Sequence, residues 1–140
     1  EVKYFLTDQI KIKDQTTNSN FSNFITLIKK NEWKKAYLYS NSNYFDNEEK
    51  KLCLGIYYFF KNDFLKANEY FKEIDRNKYS CAIKLILCDC EYELAKIHNI
   101  KNQTFADKIL QSYQEVFDCS PIESFRILVK NRIKIIKYEI

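Results

Sequence analysis

The chain has 140 residues, 46% hydrophobic and 30% charged, with a formal net charge of +4, a globular balance long enough for one sizeable core in a single domain. One Gly, one Pro and one His exclude a glycine-rich phosphate loop and a His-rich metal site, and they argue against an all-β fold built on tight turns. Basic residues exceed acidic ones by three in residues 121–140 and by one in the remainder, so attraction to an anionic surface concentrates at the C-terminal end.

Residues 1–13 alternate in part and have no helical face, and residues 14–20 are wholly polar, so 1–20 reads as an N-terminal segment and linker. Helical periodicity then takes over. Phe21, Phe24, Ile25 and Ile28 predict a helix at 20–31. A short second helix carries Trp33, Ala36 and Tyr37 and ends in the polar stretch Ser40–Asn43. Asp46 with Glu49 three residues on is a capping box opening a third helix. That helix holds Leu52, Cys53, Ile56, Tyr57, Phe59 and Phe60, is apolar on more than one face, and should be central. A fourth is expected over 63–75, a fifth over 78–98 and a sixth over 103–118. Ser120-Pro121-Ile122-Glu123 combines a cap, a first-turn Pro and a Glu three after the cap, and opens a seventh helix to about 138. No strand is expected after residue 20.

The longest apolar run, Leu52–Phe60, is far short of the ~20 residues that span a bilayer. With no Met and Glu1 at its start, the chain reads as a fragment or a processed mature form. Five cysteines cannot all pair within one chain. Cys81 and Cys88 lie two turns apart on one predicted helix and Cys88 and Cys90 point to different sides, which excludes those pairings. Cys53 sits in an apolar run as a small hydrophobe would. The reading is therefore of reduced, buried thiols at Cys53, Cys81 and Cys88, and of a reducing, intracellular compartment. No metal is expected, since Cys88-x-Cys90 has the wrong spacing for zinc and lacks a second pair.

An internal repeat separates a bundle from a solenoid. Asn31-Glu32-Trp33-Lys34-Lys35-Ala36 matches Asn62-Asp63-Phe64-Leu65-Lys66-Ala67, 31 residues later. Each block falls at a turn between helices, with the aromatic expected to pack across that turn and the Ala to allow close approach. Asn102-Gln103-Thr104-Phe105-Ala106 is a looser third copy. On these residues, and on Leu54-Gly55, Tyr58, Ala67 and Phe71 at the matching spacing, the chain resembles the tetratricopeptide (TPR) repeat family. The family's Trp slot is Lys51, Asp89 falls on the small-residue slot of the next repeat, and Phe24 falls on that of the first. The resemblance covers 21–118 and implies an all-α fold of three stacked antiparallel helical hairpins, a TPR-like α-solenoid, with 119–140 as a C-terminal capping helix. The lone Gly55 would mark the tightest crossing.

No catalytic constellation is visible: His98 is alone near a helix end, and Ser120 reads as a cap. No cofactor and no enzymatic role are expected. In TPR proteins the first helix of each hairpin lines a concave groove that holds a peptide or helix. The resemblance therefore puts Phe21, Ile25 and Ile28, then Leu52, Ile56, Phe59 and Phe60, then Ile83, Ile86 and Cys90 toward such a groove. An apolar lining of this kind lacks the Lys, Arg and Asn of a carboxylate clamp. It is either an open groove, a surface covered by residues 1–13 through Tyr4, Phe5 and Leu6, or closed core, and core carries the greater weight. On the last helix Ile122, Phe125, Val129, Ile133 and Ile136 share one face, beside a basic stripe of Arg126, Lys130, Lys134 and Lys137. The stripe reads first as the solvated side of a cap. The functional expectation is a protein–protein interaction module, a scaffold, adaptor or chaperone for a partner protein or peptide. The alternatives are a small dedicated binding protein, such as a toxin-immunity factor or secretion chaperone, and a basic-helix binder of nucleic acid or an anionic membrane. Four or five charges on a near-neutral chain weigh against nucleic acid, and a membrane would be met only through that basic helix.

Overall fold

The computed structural model describes residues 19–99 and 102–139. The N-terminal segment expected as a possible cover lies outside the described residues. Among them the fold is all-α: α1 (Ser19–Lys29), α2 (Trp33–Ser40), α3 (Asn47–Phe60), α4 (Phe64–Phe71), a 3-10 turn at Arg76–Lys78, α5 (Cys81–Ile97), α6 (Gln103–Cys119) and α7 (Glu123–Glu139), with no strand. The chain divides into two compact units, Glu1–Ile83 and Lys84–Ile140. The division falls inside α5.

In the first unit α3 packs along α4, α1 against α2, and α3 also meets α1 and α2. The capping box forms as expected: Asp46 Oδ1 accepts from Glu49 N at 2.8 Å, and Asp46 N donates to Glu49 Oε1 at 2.9 Å. α3 is the central helix, with Leu52, Cys53, Leu54, Ile56, Tyr57 and Phe59 all buried. The repeated blocks have a backbone cause. Asn31 (φ 60°) and Asn62 (φ 63°) are both in the left-handed region. In the first turn, Asn31 N bonds to Ile28 O at 3.1 Å and Glu32 N to Leu27 O at 3.0 Å; in the second, Asn62 N bonds to Phe59 O at 3.0 Å and Asp63 N to Tyr58 O at 2.9 Å. These are two copies of one Schellman turn, and Asn, after Gly, is the residue that tolerates it. The copies differ at the next position. The Asp63 side chain caps α4 by accepting from Lys66 N at 3.3 Å, whereas Glu32 makes no side-chain cap.

The third copy is offset. Asn102 is extended and caps α6, accepting from Phe105 N at 2.8 Å. It does the work of Asp63, and the left-handed position falls to Asn99 (φ 55°), three residues earlier. The aromatics of the repeat also part ways. Phe64 packs on Phe59 across the α3–α4 turn, with centroids 5.7 Å apart, while Trp33 packs edge-on to Tyr57 of α3 at 5.9 Å.

Gly55 sits on α3 against the buried Phe71 ring of α4. A Cβ there would stand 2.6 Å from Phe71 Cδ1 and closer still to Cε1, so the close approach assigned to this glycine is present. α4 ends at Phe71, four residues before the expected end, because Asp75 turns the chain into the 3-10 segment and accepts from Asn77 N at 3.1 Å. Glu48, in the first turn of α3, then ties that segment down, accepting from Tyr79 OH at 2.6 Å and Lys78 Nζ at 3.1 Å.

In the second unit α6 packs along α7, with Phe125, Val129 and Ile136 of α7 buried. The Ser-Pro signal works differently from expectation. Ser120 Oγ accepts from Ile122 N at 3.1 Å, and the first helical bond runs from Arg126 N to Ile122 O at 3.0 Å. α7 therefore starts two residues beyond the residue expected to open it. The thiol expectation fails at one position. Cys53, Cys88 and Cys90 are buried and not disulfide-bonded, but Cys81 is half-buried and, like Cys119, disulfide-bonded. The spacing argument had excluded only pairs within one helix.

Candidate functional site

The proposed groove lining is interior. Leu52, Ile56, Ile83, Ile86 and Cys90 are at most 1% exposed and Phe59 is 9% exposed, while Phe60 is half-buried. Phe21, Ile25 and Ile28 are buried as well. None of these residues offers an open concave surface. The physical reason is that α3 is apolar around its circumference, so the side assigned to a partner is covered as fully as the side assigned to the core.

Polar chemistry in the interior is concentrated in the second unit. Asp89 is 6% exposed. It accepts from Tyr113 OH at 2.5 Å, from Arg132 Nε at 3.1 Å to Oδ1, and from Arg132 Nη2 at 3.2 Å to Oδ2. One carboxylate on α5 thus holds α6 and α7 through a forked guanidinium contact and a phenol. Burial raises the Asp89 carboxyl above its ordinary range, and Arg132 and Tyr113 pull it back down. Burial, with Asp89 beside it, pushes the Tyr113 phenol far above its usual range. Asp89, expected to misfit on the resemblance, is a side chain with two partners. It is a structural clamp, with both carboxylate oxygens engaged.

The exposed faces differ between the units. Between α1 and α2 lies an open groove of about 630 Å³ lined by Asn23, Thr26, Leu27, Lys35, Leu38, Tyr39 and Ser42. Its polar groups are already engaged. Thr26 donates to Ser22 O at 2.9 Å and Ser42 to Tyr39 O at 2.7 Å. Tyr39 donates to Asn20 Oδ1 at 3.0 Å, and Asn23 donates to Tyr39 OH at 3.3 Å. What the groove offers a visitor is Leu27, the Tyr39 ring and Leu38, which is 61% exposed. No sequence reading singled these out, because Leu27 and Leu38 fall off the apolar stripe of their own helices. That displacement is the signal that could have found them.

In the second unit the basic stripe is on the surface. Lys130, Lys134 and Lys137 are exposed and Arg126 is half-buried, its guanidinium 4.2 Å above the Phe117 ring. Among the described residues, no group of three or more His, Cys, Asp or Glu side chains is placed to hold a metal ion, and no helix is long and apolar enough to cross a membrane. The chain matches no family model, no curated protein and no solved structure.

Proposed function

We propose that this chain is a protein–protein interaction module built of TPR-like helical hairpins, which binds a peptide or helix of a partner protein in the α1–α2 groove. The observation that carries the reading is that groove: an open, apolar trough whose own polar groups are satisfied, with Leu38 standing in solvent. An exposed Leu38 beside a half-buried Leu27 in a concavity is what a partner's apolar side chains require, and fully burying one Leu contributes ~1.5–3 kcal/mol. The hairpin assignment is supported by the two Schellman turns 31 residues apart and by the Gly55–Phe71 crossing. The groove takes the place of the interior residues first assigned to the partner.

The test is co-purification from the native source with wild type, Leu38→Asp and Leu27→Asp. A partner held by wild type should be lost from both variants while helix content and melting are retained. Retention on either variant would move the binding surface elsewhere.

A further inference from the structure

We propose that the corner formed by α6 and α7 is a second docking site, for an acidic segment of a partner protein that seats one apolar side chain in a pocket and lays its carboxylates along the basic stripe. The pocket is about 230 Å³ and is lined by Phe117, Pro121, Glu123, Arg126, Ile127 and Lys130. That is less than the ~300–1,000 Å³ of small-molecule sites, and is room for one aliphatic or aromatic side chain. Phe117, Pro121 and Ile127 supply apolar walls, and Ile127 is 50% exposed. Arg126 and Lys130 supply the rim, and Arg126 is already held by its contact with Phe117, so little ordering remains for binding.

The charge pattern continues from the pocket. Arg126, Lys130 and Lys134 recur every four residues, a rise of ~6 Å per step, with Lys137 one turn further. Successive carboxylates of a helix at the same spacing, or alternate ones of an extended segment at ~6.8 Å, match that step. Among the described residues none of these four cations takes part in an ion pair. Arg132 on the same helix differs, its charge being met by Asp89 at 3.1 Å. Ile135 (48% exposed) and Tyr138 (92%) continue an apolar strip beside the cations. A partner is therefore met by separate, complementary charge and apolar tracks.

A protein segment fits better than a bilayer. A flat lipid surface would leave the pocket idle and would press Glu123, on the pocket rim, against anionic headgroups. A peptide can place its carboxylates past Glu123 and its apolar side chain inside.

The experiment is fluorescence anisotropy of the full chain with a fluorescein-labelled synthetic peptide of repeating Glu-Glu-Leu. The comparison probes are an all-Glu peptide of equal length and vesicles of equal parts phosphatidylserine and phosphatidylcholine. Binding of the Glu-Glu-Leu probe should exceed that of the all-Glu probe and should weaken with salt. It should fall about tenfold or more with Lys130→Glu and with Ile127→Glu. Lys130→Gln serves as a milder variant, and circular dichroism confirms that each variant folds. Leu38→Asp should leave this affinity unchanged, which separates the site from the α1–α2 groove. The proposal is overturned by absence of binding, by equal binding of the all-Glu probe, by unchanged affinity in the variants, by loss of binding in Leu38→Asp, or by stronger partition to the vesicles than to the peptide.

Discussion

Glu48 and Asp89 show how the two units differ. Glu48 lies partly exposed at the start of α3, where Tyr79 and Lys78 reach it from the 3-10 turn; the Tyr79 hydrogen bond and then Lys78 hold its carboxyl below the usual range. Asp89 is buried between helices, and burial outweighs Arg132 and Tyr113, so its carboxyl is raised. The same functional group is favoured as an anion in one place and only tolerated as one in the other. The first unit keeps its ion pairs at the rim and fills its interior with Phe, Tyr, Ile and Leu. The second unit closes its interior around one charge that must keep its partner. Removing a rim contact should loosen a turn, whereas removing one partner of the buried pair leaves a stranded charge.

The largest effect should therefore come from Arg132→Met. Stripping the partner from a buried carboxylate costs about 3–5 kcal/mol, whereas an apolar pair at both positions can be nearly neutral. Urea melts of Arg132→Met and of the double variant Asp89→Leu, Arg132→Met should show a large loss followed by substantial recovery. Equal losses in the two would mean that the pair carries no buried charge.

Next comes Gly55→Ala. Helix propensity alone would make this change neutral or stabilising. A Cβ would meet the buried Phe71 ring, so a loss of about 1–3 kcal/mol from overpacking is expected instead, larger for Gly55→Leu. Thermal melts of Gly55→Ala, with Phe71→Leu as a relieving second change, check the cause.

Asn62→Ala should cost about 1 kcal/mol, because Ala resists the left-handed position, and Asn62→Gly should be tolerated. Asn31 should respond in the same direction.

The pH dependence separates the two carboxylates by sign. The folded pKa of Glu48 is depressed, so its contribution is present above the ordinary glutamate value of about 4.3 and is lost as pH falls through the folded value. The folded pKa of Asp89 is raised, so its ionisation opposes folding, and the opposition fades as pH falls below that folded value. Acid titrations of stability for Glu48→Gln and Asp89→Asn should shift the acid limb in opposite directions. At the alkaline end Tyr92 and Cys90 are each raised to about 12, by burial first. Their contribution is complete below their ordinary values and is lost as pH rises, so stability should decline from about pH 9 upward. For the same reason, native Cys53 and Cys90, both raised by burial, should resist thiol labelling at neutral pH.

Much of the first unit was legible because its signals are local. The Asp46–Glu49 capping box, the apolar spacing of α1 and the repeated Asn are each decided within a few residues. The repeat pointed to turns, although only the backbone shows that Asn31 and Asn62 are alike because both are left-handed, and that Asn102 is not. The second unit was less legible because its organising contact joins residues 43 apart in sequence, Asp89 and Arg132. Periodicity places Asp89 on a helix and the family resemblance flags it as a misfit, but neither can supply a partner on another helix. Apolar spacing marks what is buried and does not find an exposed surface. Of the two leucines that break the spacing, Leu38 stands exposed and Leu27 is half-buried.

The most direct measurement is photo-crosslinking with leucine replaced throughout by its diazirine analogue, followed by mass-spectrometric mapping of partner adducts. The analogue is nearly isosteric and so probes buried and exposed positions in one folded sample. The expected result is that a bound partner protein is captured from Leu27 and Leu38 and not from Leu52. Capture from Leu52, with Leu27 and Leu38 silent, would contradict the assignment of partner binding to the α1–α2 groove and return it to the α3 face.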